Sequence, residues 1–373
     1  MRRFLPFLLA PILATFALSA FAADEPPTAQ FEGRVDVREV LLDVLVTDRQ
    51  GNVIVGLEPK DFRVTENGKP VDLAGLSFYS NRKFLGSAAE AAHAGVTTGA
   101  TNSNLENRYF VLLFDDVRSL TLDAPELLTQ QLQAARKAKE WVGKLLANDW
   151  VAVATYDRKL KVQTDFTRDQ RVLVGAIQDA VSGKDSETEW PSRIGEGAGN
   201  VPSLLAQLPK GKDLRDKTES IYDALSVLAK AATPITGRKN LLLFTIGFGQ
   251  IDTFGQYLPD PRYYRQTQQA LNDANVAVYT IDLTLPGTEH TLSGGMNQLA
   301  ADTGGTYLFN FVSFLTPLDK ISQENNGYYL LAYRSERPAG TEGYQKVEVK
   351  LANPEFKVKA REGYSFGKPR ENS

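Results

Sequence analysis

Hydrophobic positions follow three regimes along the chain. Over residues 35–79 apolar residues recur at alternate positions: Val35 and Val37, then Val40, Leu42, Val44 and Val46, Val53 and Val55, Phe62 and Val64, Val71 and Leu73. A period of two predicts short strands with one buried face, separated by turns at 48–52 and at Glu66-Asn67-Gly68. At 108 the pattern changes. Tyr109, Phe110, Val111, Leu112, Leu113 and Phe114 form an unbroken apolar run, as expected of a strand buried on both faces of a helix-covered sheet. Apolar residues then recur at helical spacing over 125–146 (Leu127, Leu128, Leu132, Ala135, Ala138, Trp141, Val142, Leu145). Strands are predicted at 150–155 and, antiparallel to it, 160–166, followed by a helix over 169–181. Beyond a polar, Gly- and Pro-rich insertion at 182–217, helices at 218–232 and 262–272 alternate with strands at 240–245 and 276–282. A short helix through Leu299, a strand at 306–309 and a helix at 314–324 follow. After Gly327 the pattern returns to strands, at 328–333, 345–351 and 356–361.

Alternating strands and helices predict an α/β fold: a doubly wound, mainly parallel sheet of Rossmann-like type. Neither the first strands nor the last can close a second core alone. They are expected to complete one small β-sandwich into which the α/β domain is inserted. The implied organisation is residues 31–80 and 327–367 for the two sandwich halves, 108–326 for the α/β domain, and a linker at 81–107 rich in Ala, Gly, Ser, Thr and Asn.

Composition narrows the function classes. Arg2 and Arg3 precede an apolar stretch over 4–22 ending in Ala20-Phe21-Ala22, which predicts a secretory signal peptide at 1–22 and a secreted or periplasmic protein. That peptide, if left uncleaved, is the expected membrane contact. The sequence of 373 residues has no cysteine, which excludes disulfides, thiolate metal sites and a cysteine nucleophile. Its two histidines, His93 and His290, lie in the linker and a loop, poor material for a Ser-His-Asp machine. A net charge of -3 gives no reason to expect nucleic acid as partner.

The candidate chemistry sits where the apolar run stops, on Asp115, Asp116, Val117, Arg118 and Ser119. Residues just past the C-terminal ends of buried parallel strands are where such sheets bind ligands. This ending, with the run from Lys217 to Leu225, Gly237-Arg238-Lys239-Asn240 before LLLFTIGF, and Asp302-Thr303-Gly304-Gly305-Thr306, resembles von Willebrand factor A domain proteins of the bacterial, acidobacterial type. The flanks resemble them too, at 61–69, at Tyr328-Tyr329-Leu330-Leu331 and at Arg361-Glu362-Gly363-Tyr364. The resemblance implies a metal ion-dependent adhesion site. There an Asp-x-Ser-x-Ser loop, a Thr and a second Asp hold Mg²⁺ or another divalent cation, and a partner carboxylate completes the shell. Asp115 matches the first Asp, Ser119 the second Ser and Thr218 the Thr. Val117 stands in place of the first Ser and Ile246 in place of the second Asp. Losing one oxygen ligand and one anion predicts a degenerate site, metal-free in preference to filled, with Asp116 or Asp252 as substitute ligands. The expected protein-binding face is Asp115, Asp116, Ser119 and Thr218.

Plainer roles compete for the same residues. Asp115 can end a strand and cap a helix. Asp216 through Glu219 reads as a capping box. Gly247-Phe248-Gly249 lacks the third glycine of a dinucleotide loop, and Asp282 with Thr284 reads as a loop-shaping pair. The tyrosine pairs 263–264 and 328–329 fit contact surface and half-buried packing equally. The insertion could overhang the ligand face with Trp190 as an anchor. The expected function is an exported, non-enzymatic protein-binding or adhesion module with a protein ligand. Alternatives are an envelope structural or assembly factor without metal, and a hydrolase on a Rossmann-like sheet using Asp115 or Asp282. No nucleophile, histidine pair or phosphate loop accompanies those carboxylates.

Overall fold

The computed structural model of the chain describes residues 35–80, 107–116, 125–183, 201–251, 253, 257–287, 292–338 and 341–367. The expected signal peptide and nearly all of the linker lie outside them. The first strands are β1 (Val35–Thr47), β2 (Phe62–Glu66), β3 (Lys69–Val71) and β4 (Leu73–Ser80). The turn between β2 and β3 places Asn67 and Gly68 at φ 49 and 78, a conformation Asn and Gly adopt at least cost.

The central domain opens with β5 (Arg108–Asp115), α1 (Pro125–Val142), β6 (Asp149–Tyr156), β7 (Leu160–Thr167) and α2 (Gln170–Ser182). It continues through α3 (Lys212–Asp216), α4 (Ile221–Ala232), β8 (Lys239–Thr245), and the short pair β9 (Gln250–Ile251) and β10 (Tyr257–Leu258). It closes with α5 (Pro261–Asp273), β11 (Val276–Asp282), α6 (Ser293–Asp302), β12 (Tyr307–Leu308) and α7 (Leu315–Glu324). Its sheet runs β12-β11-β8-β5-β6-β7, parallel except for β7. Phe110, Leu112 and Phe114 face the core under α1, α2 and α7, while Val111 and Leu113 face the core under α4, α5 and α6. An apolar run with no polar alternation is therefore what β5 requires, since both its faces are covered.

The last strands are β13 (Gly327–Pro338), β14 (Gly343–Leu351), β15 (Lys357–Lys359) and β16 (Gly363–Phe366). They interleave with the first four in two sheets, β15-β1-β13-β4 and β16-β14-β2-β3. β1 pairs antiparallel with β13 (Val40 opposite Tyr333) and β2 with β14 (Val64 opposite Val349). Val40, Leu42, Val44, Phe62, Val64, Tyr329, Leu331 and Val347 fill the shared core. The α/β domain is thus inserted into a sandwich whose halves come from opposite ends of the described chain.

Several boundaries shift for local reasons. α1 stops at Val142 rather than 146, because the chain turns at Gly143 and the Asp149 carboxylate takes the Leu146 N–H at 2.8 Å. β16 adds a strand that the short pattern at 363–366 did not signal. The described part of the insertion, 201–217, contributes to the core despite its polar composition: Leu204, Leu208 and Leu214 are buried under α4. Ser203 and Leu204 are tied to the Asp165 carboxylate. Trp190 lies outside the described residues.

Candidate functional site

β5 and β8 are neighbours, yet the chain leaves them in opposite directions, β5 toward β6 and β8 toward β11. Their crossover helices α1 and α5 pack on opposite faces. The crevice between the C-terminal ends of β5 and β8 is therefore the topological switch point, the place where open α/β sheets accept ligands. Asp115 ends β5 there and Thr245 ends β8. The Thr245 hydroxyl donates to Asp115 Oδ2 at 2.7 Å and accepts from the Gly247 N–H at 2.9 Å. Gly247 has φ 104, and a Cβ there would lie 2.5 Å from Leu292 Cβ, so only glycine turns the chain back at this point.

Loss of surrounding water pushes the Asp115 carboxyl up to about 6. The hydrogen bond from Thr245 opposes that rise, and the neighbouring charge of Asp116 adds to it. Asp116 continues the edge, its N–H donating to the Tyr156 carbonyl at 2.8 Å. Beneath Asp115, Gln131 of α1 is 1% exposed, and its amide nitrogen donates to the Asp115 carbonyl at 3.1 Å. That bond fixes which way the amide faces and leaves Gln131 Oε1 buried with no hydrogen-bond partner among the described residues.

Thr218 lies lower than expected. It is 0% exposed, its hydroxyl donates to the Leu214 carbonyl at 2.7 Å and accepts from the Leu160 N–H at 3.1 Å. It therefore supports the rim from below and presents no oxygen to a partner, a correction to the expected contact face. The capping box is displaced too. Helix α4 is capped by Ser220, whose Oγ accepts from the Asp223 N–H at 3.1 Å and donates to the Asp223 carboxylate at 2.6 Å. Ser119, together with Val117 and Asp252, lies outside the described residues.

Among the described residues the oxygen ligands for a divalent cation are incomplete. The Thr218 hydroxyl is committed to two backbone groups. Ile246, where the fold family's second carboxylate is expected, packs against the apolar core. Among the described residues no three acidic or histidine side chains stand close enough together to hold a metal ion. Mg²⁺ demands near-octahedral oxygen ligation, and of the described residues matched to the family's ligands only Asp115 keeps an oxygen at the strand ends.

Asp282 ends β11 one strand further along. Its Oδ1 accepts from both the N–H and hydroxyl of Thr284 at 2.8 Å, and its Oδ2 from the Tyr307 hydroxyl at 2.7 Å. It shapes the loop. The residues that sequence reasoning missed are Thr245 and Gln131. Each had a faint signal: Thr245 is the first polar residue after an apolar strand, and Gln131 is a polar residue at a position that helical spacing turns inward.

At the other end of the sheet, where β12 begins, a cavity of about 430 Å³ opens between the α/β domain and the sandwich. Its charged lining is consumed internally: Glu362 pairs with Lys346, Glu324 with Lys359, and the Tyr264 hydroxyl donates to Asp302 at 2.6 Å.

No family model matches the chain, nor does any curated protein sequence. Among solved structures it is similar to the D319A mutant of the PilB minor pilin from Streptococcus sanguinis, with 11% identity and TM-score 0.38. That match covers 61% of this chain and 64% of the pilin, less than two thirds of the pilin's length. The ArnB paralog VWA2 from Sulfolobus acidocaldarius matches with 11% identity and TM-score 0.35, covering 89% of this chain and 74% of that one. A von Willebrand factor type A structure from Catenulispora acidiphila matches with 9% identity and TM-score 0.38, covering 86% and 71%. Several of the similar structures are thus von Willebrand factor A domains, the class that the sequence motifs resemble.

Proposed function

We propose that this protein is an exported, non-enzymatic protein-binding module of von Willebrand A type, acting without a resident metal. Its contact surface is the C-terminal edge of the parallel sheet around Asp115, Asp116 and the loops that follow β8, β11 and β12. The reading is carried by one observation: the Asp115 carboxylate and the Thr245 hydroxyl meet across the switch point, where the family's metal would sit. A hydroxyl proton there takes over part of the cation's work by stabilising the carboxylate.

A hydrolase built on the same carboxylate is less well supported. The Thr245 hydroxyl bonded to Asp115 has the look of a nucleophile and its base, but Thr245 is fully buried and out of reach of a substrate. Photo-crosslinking residues placed at Glu219 and Phe309, in extracts of the producing organism's envelope, test the proposal. Crosslinks to a protein from both rim positions, and none from Glu355 on the sandwich, are expected, unchanged by EDTA. Crosslinks that vanish on chelation, or substrate turnover abolished by Asp115→Asn, would defeat it.

A further inference from the structure

The rim has two chemically different halves. On the β11–β12 side, residues 283–287 and 307–318 contain no charged side chain. Leu285 is 39% exposed, Phe309 59% and Val312 100%. The Phe309 ring is held outward by stacking on Tyr307, centroids 4.8 Å apart. Isolated exposed apolar residues are ordinary, but an uncharged group at the ligand-binding edge of a sheet marks an interaction surface.

The β5–β6–α4 side is acidic. The Tyr156 hydroxyl donates to the Glu219 carbonyl at 2.8 Å, and Asp115, Asp157, Glu219 and Asp223 all lie close enough to press on that phenol electrostatically. Lys161 is held by Asp157 at 3.1 Å, while Arg158 and Lys159 occupy the hairpin turn beyond.

From β5 to β12 is three strand spacings, about 14 Å. We propose that the rim binds an extended polypeptide segment carrying a lysine or arginine about four residues from an apolar side chain. The base lies at the Asp115–Asp116 half, and the apolar residue seats among Leu285, Phe309 and Val312. The partner's charge is thus the reverse of the carboxylate that a metal-filled site of this family would take. The acidic half also disfavours an anionic bilayer as occupant of the apolar half. The inference rests on the proposed function, since it places the contact surface at the same rim.

The test uses the whole protein and short synthetic peptides in which one leucine and one lysine are separated by Gly/Ser spacers of increasing length. Two matched sets carry Asp for Lys or Ser for Leu, and phosphatidylglycerol vesicles serve as the lipid arm. Binding should peak at a spacing of about four residues and fall at least about tenfold when either residue is replaced. Asp116→Asn should weaken the lysine contribution and Val312→Asp the leucine contribution, each with an unchanged melting temperature. Equal binding of the Asp-for-Lys peptides, no dependence on spacing, no peptide binding at all, or binding to vesicles alone would overturn the inference. If the crosslinks from Glu219 and Phe309 still form in that case, the rim remains a protein-binding face and only the partner chemistry is wrong. If they fail as well, both readings fall.

Discussion

The Thr245 hydroxyl reaches Asp115 Oδ2 at 2.7 Å across 130 residues of sequence, joining the tips of two adjacent parallel strands. Without that donor the carboxylate would face a neighbouring carboxylate and little water. Thr245→Val keeps the shape and removes the hydroxyl. It is expected to lower stability by about 1–3 kcal/mol, the cost of leaving a half-buried acceptor unpaired. Urea denaturation checks this, and a variant as stable as the parent would show that the bond contributes nothing.

Thr218 separates a structural role from a ligand role. Thr218→Val deletes a buried hydroxyl that links the Leu214 carbonyl to the Leu160 N–H. A loss of about 1–3 kcal/mol in chemical denaturation is expected, with no difference between variant and parent in calorimetric titrations with Mg²⁺, Mn²⁺ or Ca²⁺. Metal-binding heat in the parent that the variant lacks would restore Thr218 as a ligand.

Arg108 anchors the base of the strand whose tip carries Asp115. Its Nε and Nη2 grip the Asp149 carboxylate at 2.6 and 2.7 Å, and its Nη1 reaches the Ser322 carbonyl and Asn326 Oδ1 at 3.0 Å. Both partners of the ion pair are buried. Arg108→Met strands the Asp149 charge and should cost about 3–5 kcal/mol. Asp149→Asn in the same background should recover part of that loss, which a double-mutant cycle would measure.

Lys239 gives the fold a pH signature. Burial lowers its ammonium from the ordinary 10.5 to about 8, partly offset by Asp43 and reinforced by Arg361. Between those values the unfolded chain holds more protons than the folded one, so raising the pH favours folding. The penalty is full below pH 8 and fades as pH approaches 10.5. Relative to Lys239→Met, which lacks this titration, the parent should gain up to about 3 kcal/mol across that window, at about 1.36 kcal/mol per tenfold change. A parent-to-variant difference that stays flat with pH would rule this out.

Gly305 limits the edge of the sheet. A Cβ there would lie 1.9 Å from the Val278 carbonyl oxygen, a backbone atom that cannot swing aside. Gly305→Ala should displace β12 and cost more than about 4 kcal/mol or prevent folding. The amount of soluble protein and its thermal unfolding are the readouts.

The fold class was legible because each element carried its own period. The apolar run at 109–114 states that β5 is covered on both faces, and the period-two positions Val40, Leu42, Val44 and Val46 are the ones β1 turns into the sandwich core. The rim was legible as far as Asp115, since the end of a buried strand is a fixed place in such a sheet. Thr245 as its partner was not, because pairing across 130 residues depends on strand order, which no local pattern encodes. Thr218 shows the same limit in reverse: its place in a motif suggested a ligand, whereas three-dimensional packing set it under α3 and β7.

The sequence by itself determined where strands and helices lie, that two kinds of core are present, and which carboxylates stand at strand ends. Period and polarity are local properties, and burial of one or two faces writes them directly into the chain. Tertiary structure alone decided which strand tips meet, which hydroxyls are consumed internally, and that an uncharged apolar half adjoins an acidic one. Those outcomes depend on sheet order and on hydrogen bonds between residues far apart in sequence, so they exist only once the chain has closed on itself.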